Sequence, residues 1–490
     1  MDVLSTTKDA IELVALLYER YSDYKESDKT IKSIYTRLDG VQVRLELFEE
    51  YIFTAKSNLH FRQVRILLKS LENITDILHE LLERLPTSIN VSKKIAWAAW
   101  GKRGVGRLLS DLATWDEETY RTIFTLDMLC QIRGHDSLYQ RLFDTGDRSL
   151  TATWSLSRRI HSSDDALPIS PISLSDIDIT YESSTNLSDR FLSTLDSRLV
   201  YLEAHYVTNS EKSQKQAIER IAGVFRSPDL PSMHLLSCLG FAENYLPLER
   251  CFLVYQIPEP DAEIGKAEGV PTLASALDRE VRMSLEDRFR VATEITMAVM
   301  EIHAAGWVHK NIRSDNILLF IDEGKKGTKR DARIGTAYLV GFEAARPQVQ
   351  ASDQRPESDL VKRRYHHPER QGGQDTMVEK FDIRYDMYSL GAVLIEIGYR
   401  KTLRRIFAAR GNQQEEPLPG ETEENHKRLV DYGHRLGDKM GSKYANAALT
   451  CLTKSTQKGK TTDVLREEFY DDVLLPLKQI FEGFKVKASK

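Results

Sequence analysis

The stretch VHKNIRSDNILL, residues 308–319, determines how the rest of the chain is interpreted. It places His309, Asn311 and Asn316 between an apolar start and an apolar, strand-like end. The preceding segment, 285–306, has the apolar spacing of a long helix. We therefore predict a polar loop held between a helix and a strand.

The composition indicates a globular protein with more than one core. The chain has 490 residues, 41% hydrophobic and 29% charged, a length that corresponds to about three domain-sized units. The net charge of −5 excludes a global basic field, so we expect no nucleic-acid partner. The cysteines have no paired spacing and favour a reducing compartment over disulfides or a zinc site; they are Cys130, Cys238, Cys251 and Cys451.

The start of the sequence does not read as a targeting segment. Its apolar run from Leu13 to Tyr18 is too short for a signal peptide. No stretch approaches the roughly 18 apolar residues of a membrane span. We expect a soluble, cytoplasmic protein, with recruitment to a membrane surface as a further hypothesis.

Residues 1–145 have the apolar periodicity of amphipathic helices. In the segment 60–86 apolar side chains recur every third or fourth position, and Pro86 is expected to end the helix because proline restricts the residue before it. Similar stripes occur in three further segments: 11–21, 31–48 and 105–130. Four such helices joined by short links predict an all-α helical bundle.

A basic, tryptophan-bearing segment stands out in this region. Its principal cations are Lys93, Lys94, Lys102 and Arg103. No acidic residue lies between positions 87 and 110. One interpretation is an amphipathic surface that lies on an anionic membrane. The other is a solvated helix face whose tryptophans, Trp97 and Trp100, pack inward.

The sequence after residue 145 divides into a linker and a mixed domain. Residues 146–190 are rich in Ser and Asp and carry Pro168 and Pro171, so we interpret them as a flexible linker. In residues 191–486, strand-like runs come first and long helices follow. These elements are predicted at 198–207, 249–258, 285–306 and 386–400. The predicted fold class is α+β, with an all-α bundle followed by a two-lobed domain.

The loop at 308–319 resembles the catalytic loop of protein kinases. His309, Lys310 and Asn311 stand where active kinases have His-Arg-Asp, and Asn316 matches their magnesium-binding Asn. Arg313 stands at the position of a phosphate-contacting Lys. The resemblance implies a protein kinase-like fold. It also implies a lost general base, because the neutral amide of Asn311 cannot accept the proton of a substrate hydroxyl.

A second motif lies in YLVGFEAARP, residues 338–347. Gly341, Phe342 and Glu343 align with the Asp-Phe-Gly of active kinases. The resemblance therefore assigns the metal-binding Asp position to Gly341, which has no side chain to bind a metal.

Two more motifs continue the resemblance toward the C-terminus. His367, Pro368 and Glu369 resemble the Ala-Pro-Glu that closes a kinase activation segment. Asp386 and Gly391 resemble the residues that open the central helix of the kinase fold. The resemblance implies that the buried Asp386 holds the backbone of the catalytic-like loop.

The upper part of the domain departs further from the kinase pattern. No Gly-x-Gly-x-x-Gly loop precedes the strand at 198–207. His205 stands at or near the position of the phosphate-pairing Lys, and Glu219 is the candidate for its Glu partner. ATP is kept as a candidate ligand, whereas the Mg²⁺ site lacks its principal ligand and no metal ligand is assigned.

The N-terminal region resembles the HeLo-type helical domains of fungal incompatibility and cell-death proteins. The similarity lies in the helical start and in the segment 93–115. YLVGFEAAR, residues 338–346, is similar to the kinase-like domains of filamentous fungi. The order of bundle, linker and degenerate kinase domain resembles that of the mixed-lineage kinase-domain-like pseudokinases.

Three hypotheses for the function follow. The first is a pseudokinase signalling protein with protein partners, whose degenerate domain controls a helical, membrane-acting effector bundle. The second is an active Ser/Thr protein kinase that binds ATP through atypical residues, and the third is a non-enzymatic scaffold. For a switch of the first kind, the candidate modification sites are Ser352, Ser358 and Tyr365.

Overall fold

A computed structural model divides the chain into two compact units, Met1–Thr145 and Gly146–Lys490. The structure describes scattered positions at 38–53, 107–115, 156 and 261, and the following ranges: 3–22, 61–84, 171–177, 189–206, 212–226, 230–244, 250–258, 270–322, 333–342, 345–347, 360–371, 381–408, 421–457, 459–460 and 462–488.

The first unit contains two long helices, α1 (Val3–Ser22) and α2 (Phe61–Arg84), which pack on each other. Both helices were predicted from their apolar stripes, and the side chains of the stripes, such as Val14 and Leu71, are fully buried. Helix α2 ends before Pro86, as expected. The four-helix bundle stays a prediction, because the basic segment 93–103 and most of the remaining connections lie outside the described residues.

The second unit begins with a four-stranded antiparallel sheet in the order β1-β2-β4-β3. A helix, α3, joins the second and third strands. The elements are β1 (Arg190–Leu195), β2 (Arg198–Tyr206), α3 (Lys212–Val224), β3 (Ser237–Asn244) and β4 (Arg250–Gln256). Strands β2 and β4 match the predicted strand-like runs within two residues at each end.

Strand β2 is buried on both of its faces. Because side chains alternate along a strand, Val200 and Leu202 lie on one face, where they pack with Phe252 and other apolar side chains. The other face carries Tyr201, Glu203 and His205, which are also buried. A carboxylate and an imidazole are therefore held inside the protein by a strand that otherwise forms core.

Part of the segment predicted as a flexible linker packs against this sheet. The Ile172 N–H donates to the Phe241 carbonyl oxygen at 2.8 Å, and Ile177 is buried and forms an isolated bridge with Leu195. The linker prediction is corrected for residues 171–177. The apolar side chains of Ile172, Leu174 and Ile177 pack against the hydrophobic face of the sheet. The serine-rich composition of the segment gave no indication of this contact.

The remainder of the second unit is mainly helical. In chain order its elements are α4 (Leu273–Asp278), α5 (Leu285–Ala304), β5 (Trp307–Val308), β6 (Ile317–Asp322), β7 (Arg333–Leu339), β8 (Arg346–Pro347), α6 (Leu360–Arg363), α7 (Ile383–Tyr399), α8 (Leu403–Ala408), α9 (Glu421–Arg435), α10 (Gly437–Met440), α11 (Ser442–Lys454), α12 (Thr462–Phe469) and α13 (Leu475–Ala488). A π-helical turn, Tyr470–Leu474, joins α12 to α13. Within the described ranges, no helix is both long and apolar enough to cross a membrane.

Helix α7 is the centre of this helical part. Apart from its final residue and Arg384, its side chains are buried, and it packs closely on α11. Gly391 permits this approach, because a Cβ at that position would lie 2.9 Å from the Cβ of Cys451. Helices α5 and α7 and strand β6 together position the polar loop 309–316.

Candidate functional site

The loop between β5 and β6 is held by one carboxylate from helix α7. The backbone N–H groups of His309 and Lys310 donate to Asp386 at 2.7 and 2.8 Å. His303, at the end of α5, also donates to it through Nε2 at 3.0 Å. Lys310 has a φ of +69°, a region that non-glycine residues seldom adopt. The hydrogen bonds to Asp386 hold this residue in that conformation.

Asp386 is fully buried and charged. Burial alone would raise the pKa of this carboxyl, but hydrogen bonds from His303 and the loop N–H groups, together with the charge of His303 and His309 when protonated, lower it below its usual range. A buried anion with this many donors is strongly anchored. Through these hydrogen bonds Asp386 connects helix α7 to the backbone of the loop.

His309 is a neutral, structural imidazole. Its Nε2 donates to the Val340 carbonyl oxygen at 3.1 Å, and its Nδ1 accepts the N–H of Asn311 at 3.2 Å. Burial lowers its pKa to about 4. The ring packs on Phe342, with centroids 4.6 Å apart, and Phe342 packs on Phe225 at 4.3 Å. His309 therefore joins the loop to the segment around residue 341 as a neutral hydrogen-bonding side chain.

The two asparagines of the loop are bonded to each other. Asn316 donates through Nδ2 to the Asn311 carbonyl oxygen at 2.6 Å. Its Oδ1 is buried and accepts no hydrogen bond from any residue that the structure describes. The amide that the resemblance assigns to magnesium binding is thus partly committed to a protein contact.

Gly341, which the kinase resemblance aligns with the metal-binding Asp, has the Asn316 side chain packed against the place where a Cβ would lie. Its φ is +87°, and a Cβ would lie 2.6 Å from Cγ and Nδ2 of Asn316. Real Cβ atoms do not approach heavy atoms so closely. The Asn316 carboxamide therefore occupies the volume that an Asp side chain at 341 would need, and these residues do not fit a magnesium ion held in the kinase manner. Within the described part of the chain, no cluster of three His, Cys, Asp or Glu side chains could hold a metal ion.

A carboxylate from the sheet reaches Gly341 instead. Glu203 accepts the Gly341 N–H through Oε2 at 3.0 Å, and the Tyr201 hydroxyl donates to the same oxygen at 3.3 Å. His205 lies beside it, with its Nε2 3.4 Å from Oε1 of Glu203. The sequence interpretation named His205 and overlooked Glu203. The sequence signal that could have identified Glu203 is an acidic residue within a strand whose neighbouring side chains are apolar.

The charge of Glu203 is stabilised inside the protein. Burial would raise its pKa, but the His205 side chain, Arg190 and the Gly341 N–H lower it well below the usual range of a glutamate. The candidate partner for the Lys position, Glu219, is half-buried and forms no ion pair within the described ranges. The sheet therefore presents the Glu203 carboxylate to the Gly341 N–H, beside His205, the residue that the kinase resemblance places at or near the lysine position.

Two further residues of the loop make weaker contacts. Arg313 is buried, and its Nε lies 3.9 Å from a carboxylate oxygen of Asp315. The Asp315 side chain is 55% exposed. A weak ion pair thus lies within the loop, and the exposed Asp315 is the carboxylate that the loop itself contains.

The segment after residue 360 is anchored to helix α7. His367 caps the short helical turn Pro368–Arg370 by accepting the Glu369 N–H at 3.2 Å. Glu369 accepts hydrogen bonds from Arg384 at 2.9 Å and from Tyr385 at 3.0 Å. The third residue of the earlier motif, Glu343, lies outside the described residues.

Tyr365, one of the proposed modification sites, is buried in a polar network. Its hydroxyl donates to Oε1 of Glu396 at 2.7 Å and lies 3.1 Å from the Ser314 hydroxyl. The Leu403 N–H donates to the same Glu396 oxygen. Access to this hydroxyl requires the segment to separate from α7. Ser352 and Ser358 lie outside the described residues.

Comparisons with known proteins add little to this geometry. No family model and no curated protein sequence matches the chain. Among solved structures, a chain of the yeast RNA Pol II CTD kinase CTDK-1 complex is similar, with a TM-score of 0.39 and 12% identity, covering 57% of this chain and 88% of that chain. A likeness of this size carries no inference about activity. The second unit combines a sheet, a helix-loop-strand unit and a central helix whose Asp386 holds the loop.

Replacing Asp386 by Asn is expected to destabilise the second unit by about 3 kcal/mol, because charge-assisted bonds are lost and an amide N–H₂ faces backbone N–H donors. Asp382→Asn is the matched control. Asp382 caps α7 by accepting the Arg384 N–H at 3.3 Å, and Asn caps helices about as well as Asp, so a change below about 0.5 kcal/mol is expected. Urea unfolding followed by circular dichroism measures both, and equal losses would show that Asp386 has no special role.

Glu396 generates a pH-dependent stability. Burial raises its pKa to about 8 despite the hydrogen bond from Tyr365, so the folded protein holds a proton that the unfolded chain, with a pKa of about 4.3, releases. Stability from this group is complete below about pH 4.3 and is lost as the pH rises toward about 8, by on the order of 1 kcal/mol per unit.

The variant Glu396→Gln mimics the protonated acid and removes this loss. Its stability relative to the wild type should rise from about pH 5 to about pH 8 in urea unfolding experiments. The exposed Glu286 supplies the control, since Glu286→Gln should show no such trend. A flat difference for Glu396→Gln across this range would contradict a protonated Glu396.

Proposed function

We propose that this chain is a pseudokinase signalling protein, in which a kinase-like domain without phosphotransferase activity controls a helical effector region. The domain retains the parts of a kinase that organise its backbone and has lost those that perform chemistry. Its expected partners are other proteins, together with a membrane surface that the basic segment around Lys93 contacts.

The observation that carries the proposal is the packing around Gly341. An Asp at this position would bind the metal ions that bridge the phosphates of ATP in an active kinase. Here the Asn316 carboxamide lies within 2.6 Å of the place where any Cβ would stand. In the adjacent loop the general base is replaced by Asn311, and a base contributes about 10²–10⁴-fold to rate. Loss of both groups removes most of the basis of phosphoryl transfer.

The competing function is an active Ser/Thr kinase that uses atypical residues. Asp315 is the residue that could supply a displaced base, because its side chain is 55% exposed and lies close to Asn311 in the chain. Such a mechanism would still need a replacement for the metal ligand at Gly341. A scaffold without membrane activity is the other alternative. It differs from the proposal in that residues 1–145 would not bind a membrane surface.

The purified full-length chain is expected to bind no Mg²⁺-ATP and to transfer no phosphate. A ligand at about 100 times its Kd stabilises a folded protein by about 2.7 kcal/mol, which a thermal-shift titration detects easily. The variant Asn311→Asp should remain inactive toward a general protein substrate with radiolabelled ATP, because the metal site is still missing. Transfer that requires magnesium and is abolished by Asn316→Ala would overturn the proposal in favour of an active kinase.

Changing Lys93, Lys94, Lys102 and Arg103 together to Glu is expected to weaken binding of the full-length chain to vesicles that contain anionic lipid. Each basic residue near such a surface contributes about 1 kcal/mol of attraction. Four exposed cations of the second unit, Lys401, Arg404, Lys427 and Lys443, give a control with the same change in net charge. Cosedimentation that is equal for the two variants would favour the scaffold.

A further inference from the structure

We propose that Glu203 is the residue that excludes phosphate-bearing ligands from the site beside Gly341. This inference rests on the proposed function, and it adds a cause for the loss of nucleotide binding that is separate from the loss of the metal ligand. It assigns a specificity-determining role to a residue that none of the kinase-like motifs contains.

The position of the carboxylate supports this role. Oε2 of Glu203 accepts the Gly341 N–H at 3.0 Å, so the negative group touches the backbone of the residue that aligns with a metal ligand. Glu203 is 2% exposed, and strand β2, which is paired on both sides, fixes its backbone. A phosphate approaching Gly341 would meet a buried carboxylate that cannot swing into solvent.

The charge on Glu203 is maintained by its surroundings. His205 lies 3.4 Å from Oε1, and Arg190 also acts to stabilise the anion. Protonation is therefore no route by which the side chain could accommodate a phosphate at neutral pH. Two anions in a region from which water is excluded repel strongly, and such a contact is an effective way of rejecting a class of ligand.

The same geometry predicts how the preference can be reversed. Glu203→Gln keeps an oxygen for the Gly341 N–H and removes the charge. Glu203→Lys places an ammonium group near that N–H and near Arg190, which together would form a site for an anion. Inorganic diphosphate is the suitable probe, because it carries the charge of a nucleotide phosphate chain without needing space for a base.

The test is a calorimetric titration of the full-length chain with inorganic diphosphate. The wild type should show no binding, and Glu203→Gln should gain weak binding because the repulsion is removed. Glu203→Lys should bind at least about tenfold more tightly than Glu203→Gln, because a neutral group is replaced by a cation that attracts the anion. Circular dichroism establishes that each variant is folded. If Glu203→Lys does not fold, the gain in Glu203→Gln alone decides the outcome.

Glu219 provides the matched control for net charge. It is a half-buried acid on α3 in the same part of the unit, and Glu219→Gln and Glu219→Lys should leave diphosphate binding absent. Equal gains at 203 and 219 would overturn the inference, as would folded Glu203 variants that bind no diphosphate. If the folded Glu203 variants bind no diphosphate, the role proposed for Glu203 is wrong. The pseudokinase proposal is tested separately, by the titration of the wild-type chain with Mg²⁺-ATP, and it stands if that titration shows no binding.

Discussion

The buried carboxylate of Asp386 is the constraint on which the arrangement of the second unit depends. It joins the central helix to the polar loop through two backbone N–H groups and to the end of α5 through His303. The hydrogen bond from the Lys310 N–H to Asp386 stabilises the unfavourable φ of +69° at Lys310. The loop therefore owes its shape to hydrogen bonds between its backbone and a buried side chain, and these leave the side chain of Asn311 uninvolved.

The residues around Gly341 form a mutually consistent set. Asn316 turns its amide toward the carbonyl of Asn311, and this places its carboxamide in the volume beside Gly341. Glu203 then takes the backbone N–H of Gly341 as a partner. Each contact would be disturbed by a side chain at 341. Asn316 and Glu203 are thus packed around a position that carries no side chain.

Local patterns predicted the helices and strands, and long-range contacts limited the prediction of the site. Periodicity is local, so α2, β2 and α5 could be anticipated to within a few residues. Motif spacing singled out Asn311 and Gly341 as candidate site residues for the same reason. Glu203 escaped because its role comes from a hydrogen bond to a residue 138 positions away, which no spacing rule contains. The serine-rich composition around Ile177 predicted a flexible linker where the chain packs against the sheet. The few apolar side chains that make this contact were too sparse to form a recognisable pattern.

The conformation of Gly341 also couples this position to its neighbours. An Asp substituted here would place a side chain on a backbone with a φ of +87° and against the amide of Asn316. The Asn316 side chain would then have to move, and the hydrogen bond that it donates to the Asn311 carbonyl oxygen would be disturbed. The effect of a substitution at 341 on the free energy of unfolding should therefore depend on the residue at 316, because effects of residues in direct contact are not additive.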